Sequence, residues 1–79
     1  MALIAEFQPV PSTSRKLHGP VTCGHRTFTV DGQRILQLDT YGSAERMIPD
    51  KISQSIQLNA ESARVLLKLI TDSFPNLAR

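Results

Sequence analysis

The segment that decides the fold is residues 51–74, KISQSIQLNAESARVLLKLITDSF. Its first half alternates with the two-residue period of a β-strand, so one face is mostly apolar and the other is polar. The mostly apolar positions are Ile52, Gln54, Ile56 and Leu58, and the polar positions are Ser53, Ser55 and Gln57. Asn59 then suits the N-cap of a helix, because its side-chain oxygen can accept from a free backbone amide one turn on. The segment therefore predicts a strand at 52–58 joined directly to a helix from about residue 60 to 73, which Pro75 ends.

Two further strand patterns precede this segment. Residues 21–30 read as one or two short strands, and residues 34–41 read as the strand that returns. Asp31-Gly32 between them predicts a tight hairpin turn, because glycine tolerates the positive φ of such a turn. Residues 43–51 are predicted to form a loop. The order predicts an α+β fold: an antiparallel three- to four-stranded sheet followed by one C-terminal helix (β-β-β-α). Residues 1–20 are predicted to be a partly irregular N-terminal arm, and residues 21–79 a single α+β domain.

The chain is short, and its size limits what it can bury. A domain of 79 residues buries only about 60% of the surface of its unfolded chain, so its core is marginal. The single cysteine, Cys23, excludes an intramolecular disulfide, and self-association is the leading way to gain buried surface. The opening residues lack the pattern of a secretory signal, and no stretch approaches the ~20 apolar residues of a membrane span. These features predict a cytoplasmic protein.

The predicted helix carries more apolar surface than one sheet face needs. At 100° per residue its apolar arc spans roughly 200°, against the ~100° that packing on a sheet requires. The line expected to face the sheet is Ala63, Leu67, Ile70 and Phe74. Three other residues, Val65, Leu66 and Leu69, are predicted to form the interface of a homodimer. The alternative is that the N-terminal residues Leu3, Ile4 and Phe7 cover Val65 and Leu69 within one chain.

Three groups of side chains have the chemistry of a reactive or metal site, and none has the required spacing. His18, Cys23 and His25 match no common zinc pattern, and a structural zinc site needs four ligands. Cys23 beside His25 lacks the third group that would orient a nucleophile and its base. Three acidic residues are predicted to be solvated turn residues rather than a metal-dependent nuclease site. They are Asp39, Glu45 and Asp50. The sequence therefore predicts a protein that is not an enzyme and has no metal or cofactor.

A polar strand beside an aromatic residue suits a nucleic acid. Ser53, Ser55 and Gln57 are small or uncharged, which lets a phosphodiester backbone approach closely, and Tyr41 offers a ring on which a base can stack. Positive charge is also required. The net charge of +2 permits nucleic acid without requiring it. The flanking cations are Arg34, Arg46 and Lys51. The alternative is that Tyr41 packs over the hairpin and that the polar strand is an ordinary solvent face.

Two strings in residues 35–70 carry a resemblance to a known family. Leu38-Asp39-Thr40-Tyr41 matches a D-x-[RT]-[WY] strand, and residues 55–59 with Glu61 match a strand that runs into an acidic-capped helix. This half of the chain resembles the core of the transcriptional-coactivator-type single-stranded DNA-binding fold, most closely its small bacterial members. The resemblance implies a homodimer whose helices pack together and whose curved sheets grip single-stranded DNA or RNA. The contacts that it implies are Tyr41, Arg46, Lys51, Ser53 and Ser55. The strings LQLDTYGS and SQSIQL also resemble short uncharacterised bacterial proteins, which implies no activity.

Two functional hypotheses follow. The leading one is a non-catalytic module that binds single-stranded nucleic acid through its sheet as a homodimer. The alternative is an accessory domain that binds another protein through a sheet edge or the proline-rich arm, without binding nucleic acid.

Overall fold

The computed structural model describes residues 1–13, 15–42 and 51–77. In these ranges four strands form one sheet and a single helix follows them. The elements are β1 (Ala2–Leu3), β2 (Cys23–Val30), β3 (Gln33–Tyr41), β4 (Ile52–Leu58) and α1 (Ala60–Ser73). The strand order is β1-β4-β3-β2, so β3 and β4 are central and β2 lies at an edge. The predicted α+β class, with strands followed by a C-terminal helix, is confirmed.

The hairpin between β2 and β3 has the predicted two-residue turn. Asp31 and Gly32 both have positive φ, 51° and 77°, as a type I′ turn requires. The two strands pair in continuous antiparallel register from Cys23↔Thr40 to Val30↔Gln33. β2 is therefore one strand of eight residues.

The register assigns each strand residue to one of two sheet faces. β3 and β4 pair antiparallel, and directly opposed residues share a face. The polar face, as we call it, carries Gly24, Arg26 and Phe28 of β2, Ile35, Gln37, Asp39 and Tyr41 of β3, and Ser55 and Gln57 of β4. The leucine face carries His25, Thr27, Arg34, Leu36, Leu38, Ile56 and Leu58. Thr40 pairs with Gln54 and Tyr41 pairs with Ile52, so Ser53 is skipped at a bulge.

The fourth strand departs from the expected antiparallel arrangement. β1 pairs in parallel with β4 through Ala2↔Ile56 and Leu3↔Gln57, and the Ile4 amide donates to the Gln57 carbonyl at 2.9 Å. The arm, β2 and β3 all lie between β1 and β4 in the chain, which makes parallel pairing feasible, because parallel strands need a crossover of a dozen or more residues. Val21 and Thr22, the first two residues of the stretch predicted to form one or two strands, precede β2 and are not part of the sheet.

The start of α1 is fixed by a reciprocal capping box. The Ser62 amide donates to Asn59 Oδ1 at 3.0 Å, and the Asn59 amide donates to Ser62 Oγ at 3.1 Å. Two of the backbone donors that a helix start leaves unpaired are thereby satisfied. The helix runs to Ser73, and Pro75 follows two residues later, so the predicted N-cap and helix are confirmed.

The apolar core is small, and the helix faces a different direction from the one expected. Among the described residues the buried apolar side chains are Ile35, Tyr41 and Leu58. In α1 Ser62 is buried and Ala63, Leu66 and Thr71 are half-buried, whereas Leu67 and Phe74 are more than 60% exposed. The prediction that those two residues lie against the sheet is wrong, because the capping box places Ser62 in the buried line.

Candidate nucleic-acid interface

A buried carboxylate lies at the centre of the polar face. Asp39 is 0% exposed, and its Oδ1 accepts from Ser55 Oγ at 2.5 Å and from Gln37 Nε2 at 2.9 Å. Gln57 Nε2 in turn donates to Gln37 Oε1 at 2.8 Å. The second carboxylate oxygen, Oδ2, lies 2.8 Å from Arg26 Nη2. We call these five residues the Asp39 network, and it ties β2, β3 and β4 together.

The surroundings of Asp39 favour its ionised form. The hydrogen bond from Ser55 is the main cause that lowers the pKa of Asp39, and the hydrogen bond from Gln37 and the charge of Arg26 act in the same direction. Removal of the carboxylate from water opposes them. The close partner of Oδ2 is the guanidinium of Arg26, which compensates the charge of this oxygen.

A glycine is the direct cross-strand neighbour of Asp39. Gly24 is the direct cross-strand partner of Asp39, and any side chain there would lie on the polar face about 5 Å from that of Asp39. Arg26 is two residues along β2 on the same face, opposite Gln37. Arg26 therefore reaches the carboxylate diagonally across the strand pair.

The structure separates the seven residues that sequence reasoning assigned to nucleic-acid binding. Lys51, Ser53 and Arg34 are exposed, and Gln57 is half-buried. Tyr41 is only 3% exposed and Ser55 only 6%, so neither the tyrosine ring nor the serine hydroxyl is available to a ligand in this conformation. Arg46, like the acidic residues Glu45 and Asp50, lies outside the described residues.

Arg34 also lies on a different face from the polar residues of β4. Its guanidinium donates to Thr27 Oγ1 at 3.1 Å and to Thr29 Oγ1 at 3.5 Å, along the neighbouring strand. The expectation that Arg34 flanks the same surface as Ser55 and Gln57 is therefore wrong. The cation that does share a face with them is Arg26, which no sequence motif indicated.

The expectation that Asp39 is a solvated turn residue is also wrong. Asp39 is inside β3, two positions before its end, and its side chain is enclosed. The signal available in the sequence was the alternation of Ile35, Gln37, Asp39 and Tyr41. That alternation places the carboxylate on one face with two large apolar residues, where an aspartate needs partners.

The burial of Asp39 changes the charge that the sheet presents. It is the only acidic residue among the four described strands, and the strand cations are Arg26 and Arg34. Both arginines are exposed, and so is Lys51 immediately before β4. Within the described strands, every ionised side chain that solvent reaches is therefore a cation.

The predicted interface residues of the helix lie beside the N-terminal arm. Val65 and Leu69 are 43% and 41% exposed, whereas Leu66 is half-buried. Phe7 and Pro9 of the arm and the same two helix residues line a groove of about 290 Å³. The arm thus runs alongside this flank of the helix without covering it.

The other candidate chemistries gain no support from the geometry. Cys23 and His25 are exposed on the edge strand, as is His18 in the arm. Across the described ranges, no three histidine, cysteine or acidic side chains come together as metal ligands would. No helix there is long and apolar enough to cross a membrane.

Comparison with protein-family models, with curated proteins and with solved structures gives no match for this chain. The resemblance to the single-stranded DNA-binding fold therefore stays a prediction carried by the residues quoted for it.

Proposed function

We propose that this protein is a non-catalytic, cytoplasmic module that binds single-stranded DNA or RNA through its sheet as a homodimer. Nucleic-acid affinity depends first on cations that neutralise backbone phosphates. The observation that carries the proposal is the uniform sign of the exposed charge on the strands. Arg26, Arg34 and Lys51 are exposed, and the one strand carboxylate, Asp39, is buried against Arg26.

The chemistry of the polar face suits the binding of single-stranded nucleic acid without base specificity. The half-buried amides of Gln37 and Gln57 lie in one cross-strand row with Arg26. Amides and a guanidinium can bind phosphate and sugar oxygens of any sequence. Since Tyr41 is buried, its ring is not available for stacking, and we expect phosphate contacts to dominate and the binding to be weak, sequence-tolerant and salt-sensitive.

Fluorescence anisotropy with labelled single-stranded oligonucleotides at low salt tests this function. We expect binding in the micromolar range that weakens as salt rises, because counterions are released from the phosphates. Lys51→Ala should weaken binding to all sequences and flatten the salt dependence. Lys16→Ala removes the same charge away from the sheet and serves as the matched control. Absence of binding at tens of micromolar, or binding indifferent to salt, would reject the function.

The support for a homodimer is the apolar surface that α1 leaves in contact with water. Val65, Leu67, Leu69 and Phe74 are all more than 40% exposed, and each buried side chain of this size is worth about 1.5–3 kcal/mol. A second copy packed on the Val65 and Leu69 flank would bury part of this surface and bring two sheets into one particle. A dimer with two weakly binding sheets would also bind a longer oligonucleotide more tightly than a single sheet does.

A protein-binding accessory domain is the second candidate, and the edge strand favours it. β2 pairs with β3 on one side only, contains no proline, and pairs without a register shift over its eight residues. Such an edge can accept a strand from another protein. This candidate predicts no oligonucleotide affinity, together with protection of β2 amides from hydrogen exchange when a specific partner is present.

A further inference from the structure

We propose that Arg26 is a phosphate contact of the sheet, and that buried Asp39 acts as the positioning residue that holds its guanidinium. This inference rests on the proposed function, since it names the residue that meets the nucleic-acid backbone. It goes beyond the contacts that the sequence indicated, because Arg26 belongs to no motif.

The first step is the position of Arg26 between buried and exposed surroundings. Its side chain is 54% exposed, whereas that of its partner Asp39 is 0% exposed. One end of the ion pair is thus fixed in the sheet and the other meets water. A ligand that approaches the polar face over β2 meets the arginine and not the carboxylate.

The second step is the number of donors that Arg26 retains. A guanidinium carries five N–H groups in a planar fork, and the described structure gives Arg26 a single close contact, between Nη2 and Asp39 Oδ2. The guanidinium therefore retains N–H groups beyond the one that faces the carboxylate. Planar donors of this kind match the oxygens of a phosphate better than an ammonium does.

The third step is the rigidity of the anchor. Asp39 Oδ1 is held by Ser55 and Gln37, and Gln37 is held by Gln57. The carboxylate therefore has hydrogen bonds from two central strands before Arg26 reaches it. An arginine held by such an anchor loses less conformational freedom when it binds an anion than an unattached side chain does.

The fourth step is the distinction between positioning and charge. Asp39 offsets part of the positive charge of Arg26, so the charge of the arginine and its positioning have to be tested separately. Removal of the carboxylate charge would add one positive charge to the protein. Simple electrostatics then predicts tighter oligonucleotide binding, whereas loss of positioning predicts weaker binding, and the two effects have opposite signs.

The central experiment measures oligonucleotide binding over a salt series for Arg26→Ala, Arg26→Lys and Arg15→Ala, the last being a matched loss of one arginine in the arm. We expect Arg26→Ala to weaken binding about fivefold at low salt, and to reduce the salt slope by about 0.7, the value of one single-strand phosphate contact. Arg26→Lys should restore the positive charge but not the planar set of N–H donors, and should bind the oligonucleotide more weakly than the parent protein does. If Arg26→Ala matches Arg15→Ala, or Arg26→Lys matches the parent, the inference is overturned while the function stands.

A second readout does not depend on nucleic acid. The side-chain Nε–H resonance of Arg26 is followed by NMR while inorganic phosphate is added, with chloride at equal ionic strength as the control. We expect a saturable shift with phosphate only. If the parent protein binds no oligonucleotide but this shift occurs, the function fails and the anion contact stands; if neither occurs, both are overturned.

The positioning role is tested with Asp39→Asn and Ser55→Ala, each measured below its own unfolding temperature. We expect weaker oligonucleotide binding and a broader Arg26 Nε–H line in both variants. Tighter binding by Asp39→Asn with an unchanged Arg26 resonance would overturn the positioning role. Ser55→Ala keeps the test decisive if Asp39→Asn does not fold, because it leaves every charge in place.

Discussion

At the scale of single residues, the informative position is a charged side chain in the middle of the sheet. Asp39 is enclosed, yet its three partners keep it ionised. A buried carboxylate without such partners would take up a proton. The described core has three buried apolar side chains. We therefore expect the hydrogen bonds and the ion pair of the Asp39 network to contribute a large share of the stability of the sheet.

Ser55→Ala should destabilise the protein by about 1–3 kcal/mol, because it removes a hydrogen bond to a buried charge. Ser53→Ala is the matched control, since Ser53 is an exposed serine at the bulge of the same strand. Urea unfolding followed by circular dichroism measures both. Equal midpoints for the two variants would show that the Ser55 hydroxyl does not stabilise Asp39.

Acid should weaken the fold through the same carboxylate. The pKa of Asp39 is lowered in the folded state, so its contribution to stability is complete above the unfolded-state pKa of about 4. It is lost as the pH falls through the lower folded-state value. Unfolding temperatures measured between neutral pH and pH 2 should therefore decline below about pH 4, and Asp39→Asn should show a smaller decline. An equal decline in parent and variant would contradict this assignment.

At the scale of elements, local chemistry specifies the turns and the helix start more firmly than it specifies the packing. The two-residue turn places Asp31 and Gly32 in the left-handed region, and the cap at Asn59 follows directly from its side chain. The direction in which α1 faces depended instead on Ser62, a polar residue that an apolar-periodicity argument passes over.

Asn59→Ala should destabilise the protein by about 0.5–2 kcal/mol, because the Ser62 amide loses its acceptor at the first turn. Asn59→Asp should retain most of the stability, since its carboxylate can accept the same bond and favours the positive end of the helix dipole. Asn76→Ala, in the turn after the helix, is the control. Thermal unfolding ranks the three, and an Asn59→Ala variant as stable as Asn76→Ala would contradict the capping role.

The predictable and unpredictable parts of this molecule divide by the range of the interactions. Strands β2 to β4, the hairpin and the helix could be predicted because their signals lie within a few neighbouring residues. The pairing of β1 with β4 could not, because two residues have no periodicity to read. The contact of Arg26 with Asp39 could not either, because it requires the register of two paired strands. The burial of Tyr41 and Ser55 could not be predicted for the same reason.

At the scale of the whole molecule, the chain is more open than its length requires. Its radius of gyration is 14.6 Å, against about 12 Å for a compact domain of this size. The arm and the exposed flanks of α1 account for surface that a compact chain would enclose. This is the physical basis for the proposed homodimer.

Sedimentation or light scattering should give the mass of two chains at micromolar concentration. Val65→Asp combined with Leu69→Asp should shift the protein to a monomer, because two charges cannot be buried in an apolar interface without partners. Leu67→Asp lies on the opposite flank of the helix and should leave the mass unchanged. A parent protein that remains a monomer at high concentration would reject the homodimer, and loss of the dimer by Leu67→Asp would move the interface to the other flank.

The parallel strand β1 bears on the order in which the sheet is completed. Its contacts with β4 join residues more than fifty positions apart. The loss of chain entropy on closing so long a loop opposes this pairing until its contacts have formed. The meander of β2, β3 and β4 needs only local closures and can form without it. We therefore infer that β1, which precedes the other three strands in the chain, joins the sheet last, and that until then the outer edge of β4 is open to pairing with a neighbouring polypeptide.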